Sequence, residues 1–461
     1  MDARLDALRQ ILPGPRLLNA PDDLEHYGRD WTRRWTPAPL AVALPATVEE
    51  VVGIVRWARE HRVALVPSGG RTGLSGGAVA ANGELVLSLE RMNKVLAFDA
   101  IDRTVEVQAG IALEAVHNIA REHGLQYPVD FASRGSCSIG GNIATNAGGI
   151  RVLRYGNTRE WIAGLTVVTG AGELLRLNKG LVKNSSGYDL RQLFIGAEGT
   201  LGVVVEATLR LAAPPPPTRT MLLALADFDA VIRAFMAMRA GLRLEAFEFF
   251  TSLALKHVVE HGAQPPFDDD YPFHAVVEYA HEGEADEAAA LALFERGLVE
   301  GWALDGVIAG SQAQAAQLWR LREGVTEALA PRLPYKNDVS VRISALPAFL
   351  HEAEALISAE YPHFEVVWFG HIGDGNLHIN VLKPTDMAQA DFVRDCERVT
   401  RLLAEVLARH GGSISAEHGI GLVKKPYLTG TRSEEEVAAM RAIKRALDPD
   451  GIMNPGKLFD P

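Results

Sequence analysis

At 461 residues the chain exceeds one ordinary hydrophobic core, so two or three domains are expected. Its 46 basic and 58 acidic side chains leave a net charge of −12, which excludes a general binder of nucleic-acid backbone while allowing a local basic pocket. The composition, 48% hydrophobic and 23% charged, is that of a soluble globular enzyme; no apolar run spans a bilayer, and two distant cysteines, Cys137 and Cys396, exclude a disulfide framework.

The first residues, MDARLDALRQIL, read as an amphipathic helix. Thr47 and Glu50 open a helix through His61 with a capping box. A strand at Val63–Pro67 leads into SGGRTGLSGG, and the strand ELVLSL follows. The order then recurs: the helix ALEAVHNIAREH stops at Gly124 and is followed by YPVDFASRGSCSIGGNIATNAGG. Next come WIAGLTVVTGAGELL, two strands around a turn, and EGTLGVVVEATLRL, a longer strand region. Pro214 to Pro217 form an extended connector and mark a domain boundary.

Beyond the prolines the pattern becomes antiparallel α+β, with strands at MLLALADF, EAFEFF and HAVVEYA and helices from about Phe228 and from Glu282 to Glu300. Helices are expected on one side of this sheet. Leu318 to Lys336 reads as a helix carrying Arg322 and Thr326 on one face, broken by Pro331 and Pro334 before Lys336. Phe364–Phe369 and Leu377–Leu382 read as strands joined by the turn residues Gly373, Asp374, Gly375 and Asn376. That hairpin brings His371 and His378 towards one point, although the pattern equally fits two histidines flanking a surface turn. Near the C-terminus, RAIKRALDPDGIMNPGKLFD is a helix ended at Asp448-Pro449 and an irregular tail.

Two glycine-rich loops carry the first chemical signal. Gly69, Gly70, Gly73, Gly76 and Gly77 lie in one, and Gly140 and Gly141 in the other. Side-chain hydroxyls and amides accompany them. Glycine permits close backbone approach, so successive N–H groups can converge on a pyrophosphate. The Walker lysine and the G-x-G-x-x-G turn between strand and helix are both missing, which disfavours a nicotinamide enzyme.

PSGGRTGLSGG, GSCSIGGNIATNAGG, KNSSGYDLRQLFIGAEGTLG and the terminal NPGK together resemble the FAD-linked oxidoreductases of the vanillyl-alcohol oxidase/p-cresol methylhydroxylase superfamily. Within it, the likeness is to the branch holding D-lactate dehydrogenases, the flavin subunit of glycolate oxidase and D-2-hydroxyglutarate dehydrogenases, and it is nearest to the bacterial D-2-hydroxyglutarate enzymes. The resemblance implies an α+β fold: a two-subdomain FAD-binding domain (1–213, core from about 39), the linker 214–217, an antiparallel substrate and metal domain (218–420), and a C-terminal segment (421–461) returning to the flavin. It also places the FAD residues. Pro67, Gly69, Gly70, Arg71, Thr72, Gly73 and Ser75 come from the first loop. Gly135, Ser136, Ser138, Gly141, Asn142, Thr145, Asn146 and Gly148 come from the second, with Gly199, Gly202 and Asn454 beside the flavin. Some superfamily members link flavin through a histidine after the paired glycines; Arg71 stands there, so non-covalent FAD is expected.

GGSISAEHGIG adds Glu417 and His418. Two imidazoles and a carboxylate are the donor set of a catalytic Zn²⁺ with open positions, and Mn²⁺, Fe²⁺ or Co²⁺ suits the same donors. Carried over from the family, His371, His378 and Glu417 are the metal ligands and His418 is the catalytic base, also touching substrate. Asn380 lies beside the substrate carboxylate, and Arg322, Thr326 and Lys336 meet the substrate. Adjacent residues of a regular strand point apart, so Glu417 and His418 share a site only where the backbone bends. Two cations suit a dicarboxylate. The expected reaction is therefore metal-dependent oxidation of D-2-hydroxyglutarate to 2-oxoglutarate, with hydride passing to flavin N5 and D-malate as a secondary substrate. Its electrons go to an electron-transferring flavoprotein or a quinone-linked acceptor. A D-lactate dehydrogenase or glycolate oxidase subunit is the alternative within the class, and a flavin subunit inactive without a partner is the alternative outside it. The expected setting is the cytoplasm or, peripherally, the inner face of a membrane, with a homodimer as the expected assembly.

Overall fold

The computed structural model describes residues 3–12 and 14–460 and resolves the chain into two compact units. Unit 1 comprises Met1–Gly149, Tyr155–Pro214 and Glu417–Pro461; unit 2 comprises Ile150–Arg154 and Pro215–Ala416. The division falls between Ala416 and Glu417 rather than after Ile420, so Glu417 and His418 belong with the C-terminal stretch. Among the described residues, no helix is long and apolar enough to cross a membrane.

Unit 1 holds two sheets. Strands β1 (Leu17–Leu18), β2 (Ala41–Ala43), β3 (Leu65–Ser68) and β4 (Leu85–Ser88) lie in the order β1-β2-β4-β3. The last three are parallel and their residues are almost all buried, as parallel strands are. Strands β5 (Val95–Asp99), β6 (Thr104–Gln108), β7 (Ile162–Thr169), β8 (Leu174–Leu177) and β9 (Gly202–Arg210) form an antiparallel sheet ordered β5-β6-β9-β7-β8.

The helix Val48–His61 covers the first sheet's core with Val51, Ile54, Val55 and Ala58, an i, i+3, i+4, i+7 stripe. Thr47 caps it by accepting from Glu50 N–H, while the Glu50 carboxylate is held by Arg16 at 2.6 Å and Ala46 N–H at 2.7 Å. At the other end of the chain, the helix Glu434–Leu447 starts with a reciprocal Ser433–Glu436 capping box. Met453 then bridges to Leu65 of β3. Lys444 is buried there, donating to the Thr200 carbonyl at 2.6 Å, the Met453 carbonyl at 2.7 Å and the Asp448 carboxylate.

Unit 2 is built on one seven-stranded sheet whose pairings are all antiparallel. Its strands are β10 (Thr218–Leu225), β11 (Leu244–Thr251), β12 (Phe273–Ala280), β13 (Asp305–Ile308), β14 (Tyr335–Ser340), β15 (Val366–His371) and β16 (Asn376–Val381), in the order β13-β10-β12-β11-β15-β16-β14. Helices cover both faces, not one. Phe228 and Phe235 of the helix Phe228–Gly241 meet Phe249 and Phe247 edge-on. Phe250, Val276, Val367 and Phe369 face the other way, against the helices Ser252–Glu260, Gln312–Glu323 and Val325–Leu329. The physical reason is that β10 to β12 are buried on alternate residues of both parities, which a one-sided sheet cannot satisfy.

Candidate active site

The hairpin β15–β16 pairs Phe369 with His378 and His371 with Asn376 across the Gly373–Gly375 turn. The tightness of that turn requires glycine at 375, where φ is +83° and a Cβ would stand 2.1 Å from the Val341 carbonyl. Directly opposed residues of an antiparallel pair share a face. His378 is opposite Asp338, Asn380 opposite Lys336, and His371 opposite Glu248. Register alone therefore gathers Glu248, Lys336, Asp338, His371, His378 and Asn380 on one face of the sheet. The two imidazoles have ring centroids 5.3 Å apart and nitrogen ligand atoms within 4.8 Å of one another.

Carboxylates stand behind both rings. His371 Nδ1 lies 2.7 Å from Glu248 Oε1, and His378 Nδ1 lies 3.7 Å from Asp338 Oδ1. Asn376 donates to Asp338 at 2.8 Å and holds it in place. A histidine that donates Nδ1–H to a carboxylate, as His371 does to Glu248, presents Nε2 as a metal donor, and with the second imidazole beside it the donor set fits a divalent metal of the zinc type. Nearby, burial together with the charges of Glu248 and Asp338 pushes the Asp374 carboxyl up to about 6, against the pull of His371.

Arg322 is 6% exposed, with Nη2 in an ion pair with Glu248 Oε2 at 2.8 Å and its guanidinium over the Phe369 ring at 4.9 Å. Its Nε is buried with no hydrogen-bond partner. The partner is thus a sheet glutamate rather than a near neighbour in sequence such as Glu323 or Glu327. The expected single helix is also interrupted: Gln312–Glu323 ends at Gly324 and Val325–Leu329 follows as a separate segment. Thr326 is exposed while Arg322 is buried. Lys336 is half-buried with no ion pair among the described residues, and desolvation lowers its pKa.

In unit 1, Glu417 to Gly421 is not strand, and Gly419 and Gly421 have φ of +80° and +51°. The backbone bends, and His418 Nε2 lies 3.5 Å from Glu417 Oε1. A residue that the sequence motifs did not single out anchors this bend. Glu198 accepts from Ile420 N–H at 2.7 Å and Gly421 N–H at 2.8 Å. It is buried, and burial pushes its carboxyl up to about 7 against those two hydrogen bonds and Lys424.

The glycine loops interlock. A Cβ at Gly69 would meet Ser138 Oγ at 2.2 Å, and one at Gly70 the Ser136 carbonyl at 2.0 Å. The N–H groups of Gly69 to Ser75, with Arg71, Thr72 and Gly73 between them, have no acceptor among the described residues. That is a run of orphan donors suited to phosphate oxygens.

The second loop differs from the expected open cradle. Ile139–Thr145 is a short helix capped by Ser138. The Asn142 N–H already bonds the Ser138 carbonyl at 3.0 Å within the helix, and the Gly140 N–H, at the helix start, is taken by the Ala109 carbonyl of another segment at 2.7 Å. This loop offers the buried Asn142 amide, whose Nδ2 has no partner. Thr145 bonds the Gly141 carbonyl, and Asn146 closes the helix in a left-handed conformation, with Gly148 just beyond; Gly135 lies 3.5 Å, as a Cβ, from Glu114. Gly199 packs on Pro67, Gly202 begins β9, and Asn454 ties the loops by donating to the Gly77 and Glu198 carbonyls at 2.9 and 2.7 Å. Orphan N–H groups beside an orphan Asn142 amide and Asn454 carbonyl oxygen fit a nucleotide cofactor.

Comparison with known proteins agrees. Residues 39–178 match the family described as "FAD binding domain" and residues 214–458 that described as "FAD linked oxidases, C-terminal domain". The chain is 70% identical to a D-2-hydroxyglutarate dehydrogenase of Xanthomonas citri pv. viticola over 100% of its own length and 97% of the relative's. It is 51% identical to the D-2-hydroxyglutarate dehydrogenase of Stutzerimonas stutzeri, covering 99% of each. Among solved structures, p-cresol methylhydroxylase with substrate bound superposes with a TM-score of 0.76 at 16% identity, over 99% of this chain and 96% of that one, a likeness of fold. The chain belongs to the FAD-linked oxidases, in the family that holds these D-2-hydroxyglutarate dehydrogenases.

Proposed function

We propose that the chain is a metal-dependent FAD dehydrogenase that oxidises D-2-hydroxyglutarate to 2-oxoglutarate and delivers electrons to an electron-transferring flavoprotein or a quinone-linked acceptor. The observation that carries this reading is the sheet face holding Lys336, His371, His378 and Asn380, with Arg322 tied to it through Glu248. Two cations beside two imidazoles suit a substrate with one carboxylate to grip and an α-hydroxy acid end to present to a metal. The names of the relatives at 70% and 51% identity support the same substrate.

When bound, a non-covalent FAD would supply the hydride acceptor and a divalent metal such as Zn²⁺ would lower the hydroxyl pKa of the substrate by several units. Within this reading His371, His378 and Glu417 are the ligands. His418 takes the hydroxyl proton. Asn380 donates to the α-carboxylate, while Arg322 and Lys336 grip the distal one. The Arg71 guanidinium sits over the Tyr27 ring at 4.5 Å, in the place of the histidine that other members use for linkage.

The test is anaerobic addition of D-2-hydroxyglutarate to metal-replete and chelator-treated protein while the flavin absorbance is followed. Bleaching only in the metal-replete sample is expected. Bleaching by D-lactate or glycolate and not by D-2-hydroxyglutarate would overturn the substrate, and equal bleaching after chelation would overturn the metal.

A further inference from the structure

Glu248 is 1% exposed and serves two groups at once. Its Oε1 meets His371 Nδ1 at 2.7 Å, and its Oε2 meets Arg322 Nη2 at 2.8 Å. The first contact follows from the β11–β15 register, which sets Glu248 opposite His371. The second follows from the helix Gln312–Glu323 lying over the same face, as Leu318 and Leu321 pack with Phe250 and Phe369. A buried carboxylate is costly unless it is paired and hydrogen-bonded, and here one carboxylate satisfies both conditions through two residues with different tasks.

We propose that Glu248 is a positioning residue that couples the metal centre to recognition of the substrate's distal carboxylate. With Nδ1–H donated to Glu248, His371 is held in the tautomer whose Nε2 ligates, and its basicity rises. The opposite carboxylate oxygen is ion-paired with Arg322, whose guanidinium carbon lies over the Phe369 ring at 4.9 Å. The buried Nε of that guanidinium keeps a donor without a partner, directed by the same anchor. A substrate carboxylate meeting Arg322 therefore feels the position of Glu248, and so does the metal ligand. The inference rests on the proposed function, because it needs both a metal on His371 and a dicarboxylate on Arg322.

The experiment compares the full-length, FAD-loaded protein with Glu248→Gln and Glu248→Asp. Zn²⁺ affinity is measured by competition with a chelator of known affinity, independently of turnover. The kcat/KM ratio of D-2-hydroxyglutarate to D-lactate is measured beside it. In Glu248→Gln, Zn²⁺ affinity falls about 10- to 100-fold. The substrate ratio falls about tenfold or more, as expected for a buried charge pair that loses one partner. Glu248→Asp, which keeps the charge and shortens the reach, restores part of both; it also serves as the readout if the Gln variant loses FAD. A drop in kcat that is equal for both substrates with unchanged Zn²⁺ affinity would overturn the proposal and leave Glu248 a purely structural residue. Wild-type protein that binds no Zn²⁺, or does not prefer the dicarboxylate, would overturn the functional reading first and this inference with it.

Discussion

Replacing Glu198 with glutamine removes the one ionisable group that pins the Ile420–Gly421 backbone, and the effect is readable in stability against pH. The folded chain holds this carboxyl at about 7 against an ordinary 4.5, chiefly through burial. A raised folded value means that folding takes up a proton between those limits. The group's contribution is therefore fully present below 4.5 and is lost as pH rises through about 7. At about 1.4 kcal/mol per pH unit the loss amounts to about 3 kcal/mol, or several degrees of melting temperature. Glutamine does not titrate, so the wild-type advantage over Glu198→Gln shrinks by that amount between pH 4.5 and 8. Urea unfolding at a series of pH values, with FAD held saturating, measures it. Parallel stability curves for the two proteins across that range would refute the reasoning.

Gly70→Ala forces a Cβ onto the Ser136 carbonyl and must part the two loops, so FAD affinity should fall more than tenfold, read as flavin retained after desalting. Gly73→Ala meets nothing within 4 Å, so the melting temperature of the FAD-free chain should stay at the wild-type value. Lys336→Met exchanges a half-buried ammonium for an apolar side chain of similar length; stability should hold or rise by about 1 kcal/mol. The KM for D-2-hydroxyglutarate should rise about tenfold or more while that for D-lactate is little changed, as steady-state kinetics will show. Chelation should abolish flavin reduction without releasing FAD, and added Zn²⁺ should restore wild type but not His378→Ala; restored activity in that variant would remove the residue from the ligand set.

Local grammar made much of this legible in the sequence. The β15–β16 hairpin announces itself by aromatic and β-branched runs around Gly-Asp-Gly-Asn, and the helix at Val48–His61 by its cap and stripe. The glycine spacing marked the loops. What could not be read was anything set by register between distant strands. Glu248 lies 123 positions from His371, and nothing in EAFEFF says that its second glutamate will stand opposite an imidazole. Glu198 lies 222 positions from Ile420 and was hidden inside a motif valued for its glycines. Gly324 misled in the opposite direction, since one helical pattern runs through a point where the structure stops and restarts. Glu417 and His418 required a bend, and Gly419 was the readable cue for it.

The interruption of unit 1 by unit 2 has a consequence for synthesis. All of unit 2 lies before residue 417, so its strands and helices can close while the ribosome is still translating. Unit 1 cannot. Leu65 N–H waits for the Ile452 carbonyl, Asn454 for Gly77, and the buried Lys444 for Thr200. The FAD-binding unit, although it begins the chain, is the last to finish, and a nascent chain stalled before the final helix would carry a complete unit 2 and an unsealed unit 1.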